Sequence, residues 1–286
     1  MRVRRIRWSA ALALACTAVG QLPPPTYIPQ TKFDRGQDVV PSFDGWIKNA
    51  DGTFTMVFGY LNRNYKEELS IPAGPDNKLD PLAVDSGQPT YFLPRRRARM
   101  FRVRVPADWG NKELVWSITA YGRTEKAYGS LMSAEELTER IVMTNGNLSP
   151  GLDDPNQPPS IAVAPVEGAT VGQPLTLTAH VMDDGLPKPR AAKEPSAAQT
   201  GKSQTNSAAP RRPIGLSVSW MQYGGPAKAV FERTGAILVT DGAAANGVTL
   251  SAPGTYVLRA TATDGELSVP SDVVIVVNSD QGKVSR

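Results

Sequence analysis

The chain has 286 residues, 41% hydrophobic and 20% charged, with 25 Gly and 25 Pro, which is length for two domains, each with its own core. Formal net charge is +4, but Arg2, Arg4, Arg5 and Arg7 account for it, so the rest is close to neutral and carries no nucleic-acid signature. One His, one Cys and no Gly-x-Ser-x-Gly turn exclude a zinc centre and leave a serine hydrolase without its parts.

The first segment reads as a targeting sequence. A basic stub precedes the apolar run from Trp8 to Val19, too short to span a membrane and ending in small residues at Gly20. Cleavage after Gly20 gives an exported protein with no cysteine, hence no disulfide. Lipidation at Cys16 is the alternative, although Leu14-Ala15-Cys16 places its leucine one position too close. Residues 21–32 follow as a Pro-rich, extended lead-in.

Residues 33–147 read as a first β-sandwich. Period-two alternation marks strands around Trp46-Ile47, Thr53 to Tyr60, Met100 to Val105 and Glu113 to Ala120, with Asp51-Gly52 as a hairpin turn. Glu68 to Ile71 is a short edge strand stopped by Pro72, and Tyr91-Phe92-Leu93 is another. Phe101, Val103 and Val105 share one face. Ser133 to Val142 is expected to be a helix, with Ser133 and Glu136 as a capping box. Residues 148–159 form a linker. Residues 160–278 repeat the strand pattern, interrupted at 188–213 by an Ala/Ser/Gln/Lys/Pro tract expected to be disordered, and 279–286 is a polar tail. The fold class is therefore all-β: two β-sandwich, immunoglobulin-like domains with one short helix before the linker.

The C-terminal part resembles the PKD-like and cadherin-like immunoglobulin-fold repeats of exported bacterial proteins. Asn156-Gln157-Pro158-Pro159, Asp183-Asp184-Gly185, Trp220, Pro253-Gly254-Thr255-Tyr256 and Thr263-Asp264-Gly265-Glu266 carry the resemblance, and the insert before Leu216 departs from it. It implies a non-catalytic spacer or adhesive module at the cell envelope, with a protein or polysaccharide partner. No transmembrane segment and no cofactor are expected, calcium being the one metal the sequence admits.

Three constellations could carry chemistry. Asp154, Asp183, Asp184 and Asp264 fall in linker and loop positions that share one end of a sandwich, where hard oxygen ligands could hold Ca²⁺. The simpler reading makes them turn residues bonded to their own backbone. Arg96 and Arg97, within Arg95 to Arg99, could hold an anionic polymer or simply be a solvated strand face. Tyr60, Tyr65 and Tyr91, beside Asn62, Arg63 and Asn64, could form a sugar platform; Trp46, Trp116 and Trp220 read as core. Paired acids such as Glu67-Glu68 point to opposite faces of a strand, which argues against glycoside hydrolysis. A carbohydrate-binding accessory protein is thus the alternative function, and a glycan-active enzyme the third.

Overall fold

The computed structural model describes residues 32–144, 155–187 and 215–279. The N-terminal segment expected to direct export, with Cys16, the Pro-rich lead-in up to residue 31, Asp154 with most of the linker, the 188–213 tract and nearly all of the tail lie outside the described residues. Among those described, no helix is long and apolar enough to cross a membrane.

The protein is all-β. Among the described residues, eight strands build the first sandwich: β1 (Val39–Lys48), β2 (Phe54–Asn62), β3 (Leu69–Ser70), β4 (Asn77–Asp80), β5 (Tyr91–Phe92), β6 (Arg95–Val105), β7 (Leu114–Ala120) and β8 (Arg123–Gly129). They form sheets β1-β2-β6 and β4-β7-β8, with β3-β5 as a small ribbon. Alternation buries Phe101, Val103 and Val105 to 5% exposure or less, the face expected from sequence. Between the sheets runs a chain of rings: Phe58 stacks on Phe101 at 5.3 Å, and Phe101 meets Trp116 edge-on at 4.7 Å. Tyr60 and Phe92 extend the chain at 5.0 Å. Each such pair contributes about 1 kcal/mol beyond the area it buries.

The expected helix is shorter and later. Ser133–Glu135 is a single 3₁₀ turn with no side-chain cap, and the α-helix, α1, spans Glu139–Met143. Thr138 is its cap, accepting a hydrogen bond from the Ile141 amide. Tertiary pairing overrides the Ser133 box. Glu136 is extended and bridged to Trp46, and the Leu137 amide donates to the Trp46 carbonyl at 2.7 Å. Val142, not Ile141, is the buried side chain of α1.

The second sandwich contains β9 (Ser160–Val163), β10 (Ala169–Thr170), β11 (Pro174–Met182), β12 (Ser217–Gly224), β13 (Ala229–Phe231), β14 (Ile237–Leu238), β15 (Ala243–Leu250), β16 (Gly254–Thr263) and β17 (Ser268–Asn278). Sheet β13-β15-β11-β9 faces sheet β10-β17-β16-β12-β14. The long strands follow the immunoglobulin-like order, with β10 running parallel to β17. Tyr256, Leu258, Ala260 and Ala262 alternate inward from β16, all 0% exposed. Burying a side chain such as Leu258 stabilises the fold by about 2 kcal/mol. Trp220 packs in this core and Trp46 and Trp116 in the first, as their alternating positions imply.

Candidate functional site

The run Tyr60 to Tyr65 builds structure rather than a sugar platform. Tyr60 is 0% exposed, and its hydroxyl accepts the Leu93 amide at 3.0 Å. Desolvation raises its pKa to about 12. Tyr91 is buried as well, donating its hydroxyl to Glu68. Neither ring can stack on a ligand. Asn62 and Asn64, both fully buried, join this framework: the Asn62 amide donates to the Glu67 and Phe92 carbonyls, and Asn64 donates to Asn62 and the Gln37 carbonyl. Arg63 forks onto Asp38, whose carboxylate is 1% exposed. The polar residues that sequence offers to a ligand are spent on the fold.

The arginine run divides residue by residue. Asp44 bulges out of β1 and turns its carboxylate toward β6, where the Arg99 amide donates to it at 2.6 Å and Arg96 at 3.1 Å. This closes a bulge in β6, since Gly59 on β2 stands opposite the stretch between Arg97 and Phe101. Arg95 and Arg99 adopt left-handed φ of 71° and 52°, the second held by the bond from its amide to Asp44. Gly59 is obligatory: a Cβ there would lie 2.5 Å from both the Arg97 carbonyl and Asp44. Arg95 lies 4.1 Å over the Tyr65 ring. Arg96 is therefore a structural partner of Asp44, whereas Arg97, pointing the other way, lines a cleft.

That cleft lies where the sandwiches meet. Thr90 donates its amide to the Tyr223 carbonyl at 3.1 Å, Tyr223 donates its hydroxyl to the Gly87 carbonyl, and Ser70 donates to the Gly225 carbonyl. Arg259 stands 4.0 Å over the Tyr223 ring, forks onto Asp272 at 2.6 and 2.7 Å, and donates to the Met100 carbonyl. Tyr223 belongs to the first core cluster although its strand lies in the second sandwich, with Met221 and Val257 packed beside it. Beside this joint opens a cavity of about 410 Å³, walled by Glu68, Leu93 and Arg97 from the first sandwich and by Trp220, Lys228 and Phe231 from the second. Glu68 is held by Lys228 at 2.7 Å and by Tyr91. Arg97 makes no ion pair among the described residues. Distance in sequence hid the site: Arg97 and Trp220 are far apart in the chain, and no local pattern joins them.

The acidic end is the second candidate. Asp183 and Asp264 line one small cavity beside Leu216. Each acid serves a turn: Asp183 accepts the Gly185 amide, Asp184 the Leu186 and Gln157 amides, and Asp264 the Glu266 and Leu267 amides. Asp264 is 7% exposed, and its Oδ2, like Oδ1 of Asp183, is buried without a hydrogen-bond partner. Desolvation, with Asp264 and Asp184 nearby, raises the Asp183 pKa against the opposing Gly185 hydrogen bond. Among the described residues, no three His, Cys, Asp or Glu side chains gather as a metal site. His180 is exposed on β11.

No family model and no curated protein matches the chain. Solved structures similar to it include titin domains Z1Z2 in complex with telethonin (10% identity, 86% of this chain and 100% of that one, TM-score 0.25). The D00-D0 domain of intimin gives 10% identity over 84% and 100%, TM-score 0.26, and the S-layer protein rSbsC(31-844) 13% over 84% and 28%, TM-score 0.24. Scores at this level carry nothing about function; the fold rests on the strands themselves.

Proposed function

We propose that the protein is a non-catalytic structural and interaction module, exported to the bacterial cell envelope, that holds two PKD-like or cadherin-like sandwiches as one rigid body and binds a protein through the cleft between them. The joint around Arg259 and Tyr223 carries this reading, because a seam with shared core and several hydrogen bonds across it favours the fixed mutual orientation a spacer needs. Photo-crosslinking on intact cells, with probes placed in turn at Thr234 beside the cleft and at Lys126 and Val274 on other faces, tests it. Specific adducts with an envelope protein are expected. Turnover of glycoside, ester or peptide substrates by the purified chain, lost in Glu68→Gln, would replace it with an enzyme.

We also propose Ca²⁺ between Asp183 and Asp264, supported by the two partnerless buried oxygens. Two carboxylates are short of the six to eight oxygens calcium takes, so carbonyl or water oxygens complete the shell. Polysaccharide binding finds no support from Tyr60, which is core.

A further inference from the structure

We infer that the cleft takes an extended peptide bearing an acidic side chain, added as a strand to the open edge of β12 from Ser219 to Gln222. This rests on the reading of the protein as an interaction module and names how that module binds.

The edge is open because β14 stops early. It pairs only with Ser217 and Val218, and the Val239 amide donates to the Leu216 carbonyl at 3.0 Å. In an antiparallel ladder, alternate residues address alternate neighbours. Leu216 and Val218 address β14, so Trp220 and Gln222 direct their peptide groups to the same side, past the end of β14. There they border the cavity. An exposed row of main-chain donors and acceptors is what strand addition uses. The first sandwich already makes one such bond to this strand, from the Thr90 amide to the Tyr223 carbonyl. The four residues from Ser219 to Gln222 span about 13 Å.

The walls select the side chains. Leu93 from the first sandwich and Phe231 from the second give the cavity apolar walls. Glu68 is already neutralised by Lys228, which leaves Arg97 as the cation with no carboxylate partner among the described residues. An acidic side chain on the incoming strand supplies that partner, a charge-assisted pairing of the strong kind. A polyanionic glycan could satisfy Arg97, but it has no alternating amides to offer Trp220.

The probe is a labelled hexapeptide of alternating Val and Thr with one central Asp, titrated against the full chain and followed by amide NMR and anisotropy. We expect shifts and slowed exchange at the Trp220 and Gln222 amides, at least about tenfold weaker binding with Arg97→Ser, and none with Thr234→Trp, which fills the cleft from an exposed position. A peptide N-methylated at alternate amides should not bind. Equal binding of the N-methylated peptide, or unchanged Trp220 and Gln222 amides at saturation, overturns strand addition. Polygalacturonate producing the Arg97-dependent response in place of the peptide assigns the cleft to a glycan and also overturns it. Cell crosslinks arising only from the Lys126 or Val274 probes would reject the cleft while leaving the interaction module standing.

Discussion

The guanidinium of Arg259 lies 4.0 Å over the ring of Tyr223 and is clamped in plane by Asp272, so a cation and a ring of the second sandwich form one unit, which reaches the first by donating to the Met100 and Gly87 carbonyls. A stacked, bidentate guanidinium is a role lysine cannot fill. Replacing Arg259 by Ala should cost about 2 kcal/mol, since its guanidinium is mostly buried while the Asp272 carboxylate is 35% exposed. Urea unfolding followed by tryptophan fluorescence is expected to change from one transition in the native protein to two in the variant. Arg259→Lys should recover little of the loss.

The Asp44 carboxylate is the keystone of the β6 bulge. Asp44→Ala strands the Arg99 amide and should destabilise by about 2 kcal/mol. Gly59→Ala should cost more, since its Cβ meets backbone at 2.5 Å. Thermal unfolding ranks the two; equal midpoints would deny the bulge its importance.

Asn77 is the polar anchor of the first core. It is fully buried, accepts the Trp116 indole N–H at 2.9 Å, and donates to the Ile71 and Pro89 carbonyls. Asn77→Ala leaves three polar groups without partners and should cost about 3 kcal/mol or more. Near-ultraviolet circular dichroism should show the Trp116 environment loosened.

Alkaline pH should unfold the protein through its buried tyrosines. Burial raises Tyr60 to about 12 and also raises Tyr91 and Tyr223, Glu68 adding to the effect on Tyr91. A phenol with a folded pKa above its unfolded value contributes stability that is complete below about pH 10 and lost as pH rises through the folded value. Absorbance at 295 nm should show these phenols ionising together with unfolding, in one cooperative step. Independent ionisation before unfolding would contradict their burial.

Asp183 gives the opposite sign. Its raised pKa means the folded state binds the proton more tightly, so its ionisation costs stability above the ordinary carboxylate range and costs nothing below it. Asp183→Asn should therefore raise the melting midpoint near pH 7, with the gain fading as pH falls below about 4. Millimolar Ca²⁺ should raise the native midpoint and leave Asp264→Asn unmoved. An unmoved native midpoint rejects calcium.

Strand positions were legible because alternation is local: Phe101, Val103 and Val105 follow from period two alone, as do the three core tryptophans. Burial of Tyr60 was not, because its flanking Asn62, Arg63 and Asn64 look like a wet surface until Asp38, Gln37 and Phe92 arrive from elsewhere to satisfy them. The helix start failed for a related reason, a capping box at Ser133 yielding to the Leu137–Trp46 hydrogen bond. The turn roles of Asp184 and Asp264 were readable from neighbouring glycine. The cleft was not, since Arg97 and Trp220 meet only through the fold.

The kinked arginine stretch of β6 has one more effect. β6 borders its sheet, and a flat border strand there would invite a neighbouring molecule to zip onto it. Left-handed residues at Arg95 and Arg99 break the row of amides, and a fence of positive charge discourages stacking. That margin is thus built against self-association, in contrast to the edge of β12 proposed to receive a strand.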